Sequence, residues 1–188
     1  MTLFHYFDRS TGPFRSLSDL SLEEARSVLL QIKKERPRSQ AALRDEKYMD
    51  RRAAYERHAY DLFVKMGGKP QRKTPHTMVV EACDWLYSWY EKPSFVRIPI
   101  EVFDLKTLSF TYGDLHPTFS PIVTDGREYR KKLYLYDDIL EIIDQYGLPQ
   151  DTPPVEGEIG HPFYIEVQVW SDETVSIYRD RHFWESLD

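Results

Sequence analysis

The sequence predicts an α+β fold: a mostly antiparallel sheet with a long N-terminal helical segment packed on one face. Three observations carry this. Helical periodicity fills the first third of the chain, strand-like alternation clusters after residue 75, and a single clear helix interrupts the later strands. Helices gathered before strands point to an antiparallel sheet, and the regular alternation that builds a parallel βαβ sheet is missing. The 188 residues suit one domain over 1–188 with a full core. An aromatic share of 14% argues against disorder despite 30% charged residues.

The elements follow in order. Leu3–Phe7 alternates like a short strand and is turned by Ser10-Thr11-Gly12-Pro13. Ser21-Leu22-Glu23-Glu24 is a capping box; behind it Leu22, Ala25, Leu29 and Ile32 form a helical stripe that Pro37 ends at about Glu35. The dominant stretch is a single long helix from Ser39, as N-cap, to the glycine pair Gly67-Gly68. At 100° per residue Tyr48, Tyr55, Ala59, Leu62, Phe63 and Met66 share one sector, and two charges, Arg52 and Glu56, break into it one turn apart.

His76–Ala82 reads as a strand and Asp84 as the cap of a short helix. Phe95–Phe103 and Thr107–Tyr112 are strands; Pro99 places the first at an edge or a bulge, and Leu108, Phe110 and Tyr112 share a face of the second. Pro117 and Pro121 predict an extended segment after the Gly113-Asp114 turn. Leu133–Tyr136 feeds a helix capped by Asp137 and stopped by Gly147 and Pro149, and residues 150–162 are a surface loop. A terminal hairpin is expected, with Phe163, Ile165, Val167 and Val169 alternating with Tyr164, Glu166, Gln168 and Trp170, and Val175 and Ile177 on the returning strand.

Composition narrows the function classes. The lone cysteine, Cys83, excludes a disulfide framework and a cysteine-rich zinc site, and no apolar stretch resembles a leader or a membrane span, so a cytosolic protein is expected. The net charge of −6 divides into −1 over residues 1–30, +7 over 31–73 and −12 over 74–188. The basic stretch could meet phosphate backbones, but acids are mixed into it, and attraction to the acidic remainder is the preferred reading, so nucleic acid is not the expected partner. Gly68–Thr74 lacks the glycine before its lysine and follows a helix, which rules out a phosphate loop. Asp114-x-His116 offers two side chains at a turn, too few for a metal site; no metal or cofactor is expected.

The candidate site residues are those whose polarity conflicts with their pattern. Arg52 and Glu56 anchor loops or form a pocket wall; Tyr164, Glu166, Gln168 and Trp170 face either water or a cleft; Tyr112, Asp114 and His116 stand at a strand end. The pieces LFHYF, GGKP, SFTYGD and YIEVQVW resemble an uncharacterised bacterial protein family, which implies no activity. A His-Tyr start at His5, an internal Tyr112 and a late strand Glu166 resemble ADP-ribosyltransferases in kind, though not in spacing. The leading expectation is a module that binds a small molecule or a protein through a polar cleft holding Arg52, Glu56, Tyr112, His116, Tyr164 and Gln168. The alternative, which that second resemblance implies, is an enzyme acting on a nucleotide-like substrate, with Glu166, Asp114, Tyr112 and His5 as catalytic candidates. A nucleic-acid binder through the basic helix ranks third.

Overall fold

Five antiparallel strands carry the α+β architecture, in the order β3-β1-β2-β5-β4. The computed structural model describes residues 1–154 and 159–187. The strands are β1 (Thr2–Asp8), β2 (His76–Val80), β3 (Pro93–Pro99), β4 (Leu108–Tyr112) and β5 (Ile165–Val169). The helices are α1 (Leu22–Glu35), α2 (Tyr48–Lys65), α3 (Asp84–Tyr87), α4 (Leu115–Phe119), α5 (Tyr136–Tyr146) and α6 (Glu173–Ile177).

Residues directly opposite one another across an antiparallel ladder share a face, so the register sorts the sheet into two sides. Leu3, Met78, Ile98, Phe110 and Val167 belong to one side, which is apolar, buried, and closed by Ile139 of α5 and Val175 of α6. The other side carries Phe4 of β1, Thr77 and Val79 of β2, Ser109 and Thr111 of β4, and Glu166 and Gln168 of β5. Ala59 and Phe63 of α2 pack with Trp170 over one end of this side, and Leu86 of α3 packs with Tyr6, Val79 and Phe95 over the other. Helices therefore cover both faces of the sheet, with the long N-terminal helical segment on one of them.

Several expected elements stand. The Ser21–Glu24 capping box is formed, α1 ends at Glu35, and β3, which holds Pro99, is an edge strand. The long helix does not run unbroken. Gln40–Leu43 makes one 3-10 turn, and α2 begins only at Tyr48. The break lies at Asp45, whose carboxylate accepts from the Lys47 amide at 2.9 Å, a local side-chain turn that competes with the helix. Ser39 donates its hydroxyl to the Arg36 carbonyl rather than capping a helix. At the far end Gly67 takes φ 93°, and a Cβ on Gly68 would fall 2.3 Å from the Phe63 ring.

The terminal hairpin is the larger correction. β5 already has β2 and β4 as neighbours, so no edge is left for a returning strand, and Glu173–Ile177 folds as α6 instead. Asp114 caps α4 by accepting from the His116 amide at 2.7 Å, which turns the expected extended segment helical, with Pro117 in its first turn. The strand expected at Leu133–Tyr136 is reduced to a single bridge, Phe110 with Tyr134, because α5 begins at Tyr136; Asp138, not Asp137, accepts the Leu135 amide. Asp84 is the first residue of α3, and Cys83 occupies its cap position. β3 stops at Pro99, short of Phe103, where Ile100–Val102 forms a 3-10 turn. Of the loop placed at 150–162, residues 155–158 lie outside the described residues. No helix among the described residues is long and apolar enough to cross a membrane.

Candidate functional site

Because β5 is flanked on both sides and covered on both faces, Glu166 and Gln168 are buried. Their polar groups are met by a chain of hydrogen bonds across β4. Trp170 Nε1 donates to Ser109 Oγ at 2.8 Å, and Ser109 donates to Gln168 Oε1 at 2.8 Å. Gln168 Nε2 then donates to Thr111 Oγ1 at 3.1 Å and to Glu166 Oε1 at 3.2 Å. The amide of Gln168 has one orientation in this chain, and it holds Glu166 in place.

The second carboxylate oxygen of Glu166 receives only a long contact from the Leu115 amide, at 3.4 Å. Burial pushes the Glu166 carboxyl up to about 8 and the nearby Asp114 carboxylate pushes the same way, while Gln168 and Arg52 pull it down. Burial also raises Asp114, against the pull of the His116 amide. The Tyr164 hydroxyl donates to Asp114 Oδ2 at 3.5 Å, and burial together with both carboxyls holds it well above the usual phenol range.

Facing this acid pair is a cluster on α2. Arg52 Nε donates to Glu56 Oε1 at 2.8 Å and to Ser18 Oγ at 2.9 Å, and Ser18 donates to the same Glu56 oxygen at 2.9 Å. The remaining Arg52 nitrogens reach Tyr48 Oη at 3.2 Å and Ser16 Oγ at 3.4 Å. Burial works against the Arg52 charge, but Tyr48 and Glu56 outweigh it and hold the guanidinium protonated. Glu56 Oε2 is buried without a hydrogen-bond partner among the described residues.

Between the two clusters lies a cleft of about 1110 Å³, walled by the polar side of the sheet, α1, α2, the segment 8–20 and Leu86, Trp89 and Tyr90 at and beyond the end of α3, with His5 entering from the other side of β1. His5, Arg52, Glu56, Asp114, His116, Tyr164 and Glu166 all line it, and Gln168 sits behind Glu166. A shallower hollow of about 380 Å³ beside Leu22 is lined by Ala53 and Ala54 and by exposed charges such as Arg57 and Asp61, and holds no buried polar group.

Tyr112 belongs elsewhere. Strand alternation turns it to the apolar side, where it packs on Tyr129 and Tyr146 and its hydroxyl donates to the Gly147 carbonyl. His5 lies on the same side of β1 as Leu3 and Phe7, so His5 and Tyr112 do not converge on Glu166, and the ADP-ribosyltransferase-like trio is not assembled. His5 Nε2 accepts from the Phe14 amide at 2.9 Å, which leaves Nδ1 as the donor to the Thr77 carbonyl at 2.8 Å. Burial lowers this imidazole to about 4, in keeping with a neutral ring. His116 meets Tyr55 edge-on, and Asp114 is spent on capping. Among the described residues no three His, Cys, Asp or Glu side chains are grouped so as to hold a metal ion.

The pattern reading missed Arg44, Tyr48, Trp89, Tyr90 and the hydroxyls of Ser16 and Ser18, all but Ser18 on the cleft lining. One signal was available for part of this set. Arg44, Tyr48, Arg52 and Glu56 recur every fourth residue, the spacing that stacks side chains along one side of a helix. Comparison of the chain with protein-family models, with curated proteins and with solved structures finds no match.

Proposed function

We propose that this chain is a binding module for a small polar ligand held in the cleft over Asp114 and Glu166. The observation that supports it is Glu166 itself, a carboxyl buried in an interior strand of the sheet that pairs with no lysine or arginine within 4.0 Å among the described residues. Burying such a group costs stability that an apolar side chain would not, and the Gln168 network holds it toward a cleft large enough for a small molecule. The buried free thiol of Cys83 suits a reducing, cytosolic setting.

A thermal-shift screen of polar metabolites, nucleotides and metal ions against the wild type and Glu166→Gln tests this, because a ligand selective for the native state raises its melting point. At least one compound is expected to stabilise the wild type and to lose most of that effect in the variant. Equal stabilisation of both proteins by every hit would take the cleft out of the proposal.

A second reading is favoured by the ionisation of Glu166. A carboxyl that titrates at about 8 beside a second acid can give and take a proton near neutral pH, as a general acid–base catalyst must. Under this reading a hit from the screen is turned over, and the turnover is lost in Glu166→Gln while binding persists.

A further inference from the structure

We propose that the ligand of this cleft is a small organic anion, a carboxylate or phosphate group on a flat apolar body, read by Arg44 and Arg52. The inference rests on the binding-module reading and names its ligand class.

It follows from which polar groups in the cleft are already used. Among the acids, Asp8 accepts from Ser10 and lies 3.8 Å from Arg36, and Glu56 is bound to Arg52 and Ser18. Asp114 accepts from the His116 amide and from Tyr164, and Glu166 keeps its proton through neutral pH. The arginines are less spent. The Arg44 side chain makes no hydrogen bond and no ion pair among the described residues, so none of its five guanidinium N–H groups has a protein acceptor. Two of the Arg52 nitrogens have only the long contacts at 3.2 and 3.4 Å. Glu56 Oε2 is one unused acceptor in the cleft, and against it stand the several unused or weakly used donors of two planar cations, Arg44 and Arg52.

The two guanidinium groups are held for this purpose by different means. Arg44 lies over the Tyr48 ring at 4.7 Å and the Trp89 ring at 5.2 Å, so aromatic faces rather than a carboxylate fix its plane. Arg52 is fixed by Glu56 and Ser18, and Tyr48, whose ring carries Arg44 and whose hydroxyl accepts from Arg52, joins the two cations on one wall of the cleft. A carboxylate or phosphate takes two parallel N–H donors from such a fork. Beside these donors the cleft lining is Leu86, Trp89 and Tyr90, a wall that suits a ring better than a sugar or a short polar chain. Cationic ligands would meet Arg44 directly and would find no carboxylate on that wall free of a partner.

The test is an NMR titration with four compounds that share one ring: benzoate, phenyl phosphate, benzamidine and benzyl alcohol. The Trp89 indole N–H is followed in the wild type, Arg44→Gln and Arg44→Lys, and the Arg44 Nε–H in the wild type. One or both anions are expected to shift these signals at concentrations about tenfold lower than benzamidine or benzyl alcohol. Arg44→Gln is expected to weaken the anion about tenfold without moving the melting point, because its side chain is partly exposed. Arg44→Lys is expected to fall between the two, having the charge without the planar fork. Tighter binding of benzamidine, equal binding of the alcohol, or anion binding indifferent to Arg44→Gln would each overturn the anion assignment while leaving the binding module in place. If all four stay silent while some other class of compound shifts these signals, the anion assignment also falls and the module stands. If no compound in the wider screen shifts them, both proposals fall.

Discussion

The two sides of β5 are equally buried and chemically opposed. Ile165, Val167 and Val169 enter a core made almost wholly of hydrocarbon, where burial of apolar area does the stabilising and the details of orientation matter little. Glu166, Gln168 and Trp170 are as well hidden, but their side is stable only because Ser109, Thr111 and each other complete their hydrogen bonds. One side tolerates volume-conserving exchange; the other depends on every member of a chain. The place where that chain is left incomplete, at Glu166 and across the cleft at Glu56, is where a ligand has something to add.

The comparison can be broken first on the apolar side. Phe110→Ala should cost about 3–5 kcal/mol in chemical denaturation, since Phe110 is fully buried in that core. A loss below about 1 kcal/mol, no more than an average point substitution, would mean that this side is not what holds the sheet together.

Glu56→Ala should cost about 3 kcal/mol, the low end for breaking a buried ion pair. The reduction reflects Arg52, whose side chain keeps 25% of its exposure and its contacts with Tyr48 and Ser16. A double-mutant cycle with Arg52→Met measures the pair itself, and a coupling near zero would show that Glu56 is held by Ser18 alone.

The third effect is a slope, small at any one pH step. Folded Glu166 keeps its proton up to about 8, whereas the unfolded chain releases it near 4.5. Between these values the folded state binds more protons, so this contribution to stability is complete below about pH 4.5, declines as pH rises, and is gone above about pH 8. The decline is at most about 1.4 kcal/mol per pH unit, the limit for one proton. Glu166→Gln should flatten that part of the stability–pH curve; an unchanged slope would assign it to another group.

Much of this fold was legible because its signals are local. The capping box at Ser21 and Glu24, the edge placement of the strand with Pro99 and the shared face of Leu108, Phe110 and Tyr112 each follow from a few neighbouring residues. The failures are tertiary. Val175 and Ile177 alternate as a strand would, and only the occupancy of both flanks of β5 sends them into a helix. Asp45 divides the long helix because its carboxylate finds a nearer amide than the helix offers. Arg52, Glu56, Tyr164 and Glu166 stand out in the sequence as polar residues that conflict with their pattern or could face a cleft, and Asp114 and His116 as groups at a strand end; all six line the cleft. Alternation alone could have excluded Tyr112, which is odd-out with Leu108 and Phe110. It could not have found Trp89 or Tyr90, which arrive from a segment with no periodicity of its own.

The strand order also decides how this chain must acquire its structure in time. No two strands that pair are joined by a hairpin; the shortest excursion any ladder closes runs from Tyr112 to Ile165, and β1 pairs only with residues beyond His76. Each ladder must overcome the entropy of closing a long loop before its hydrogen bonds repay it, which puts folding toward the slow, roughly millisecond-to-second end of the range for small proteins. During synthesis β1 precedes both of its partners, β2 and β3, while β2 and β4 wait until later still for β5. Leu3, Tyr6 and Phe7 must wait, unpaired, until almost half the chain has followed them.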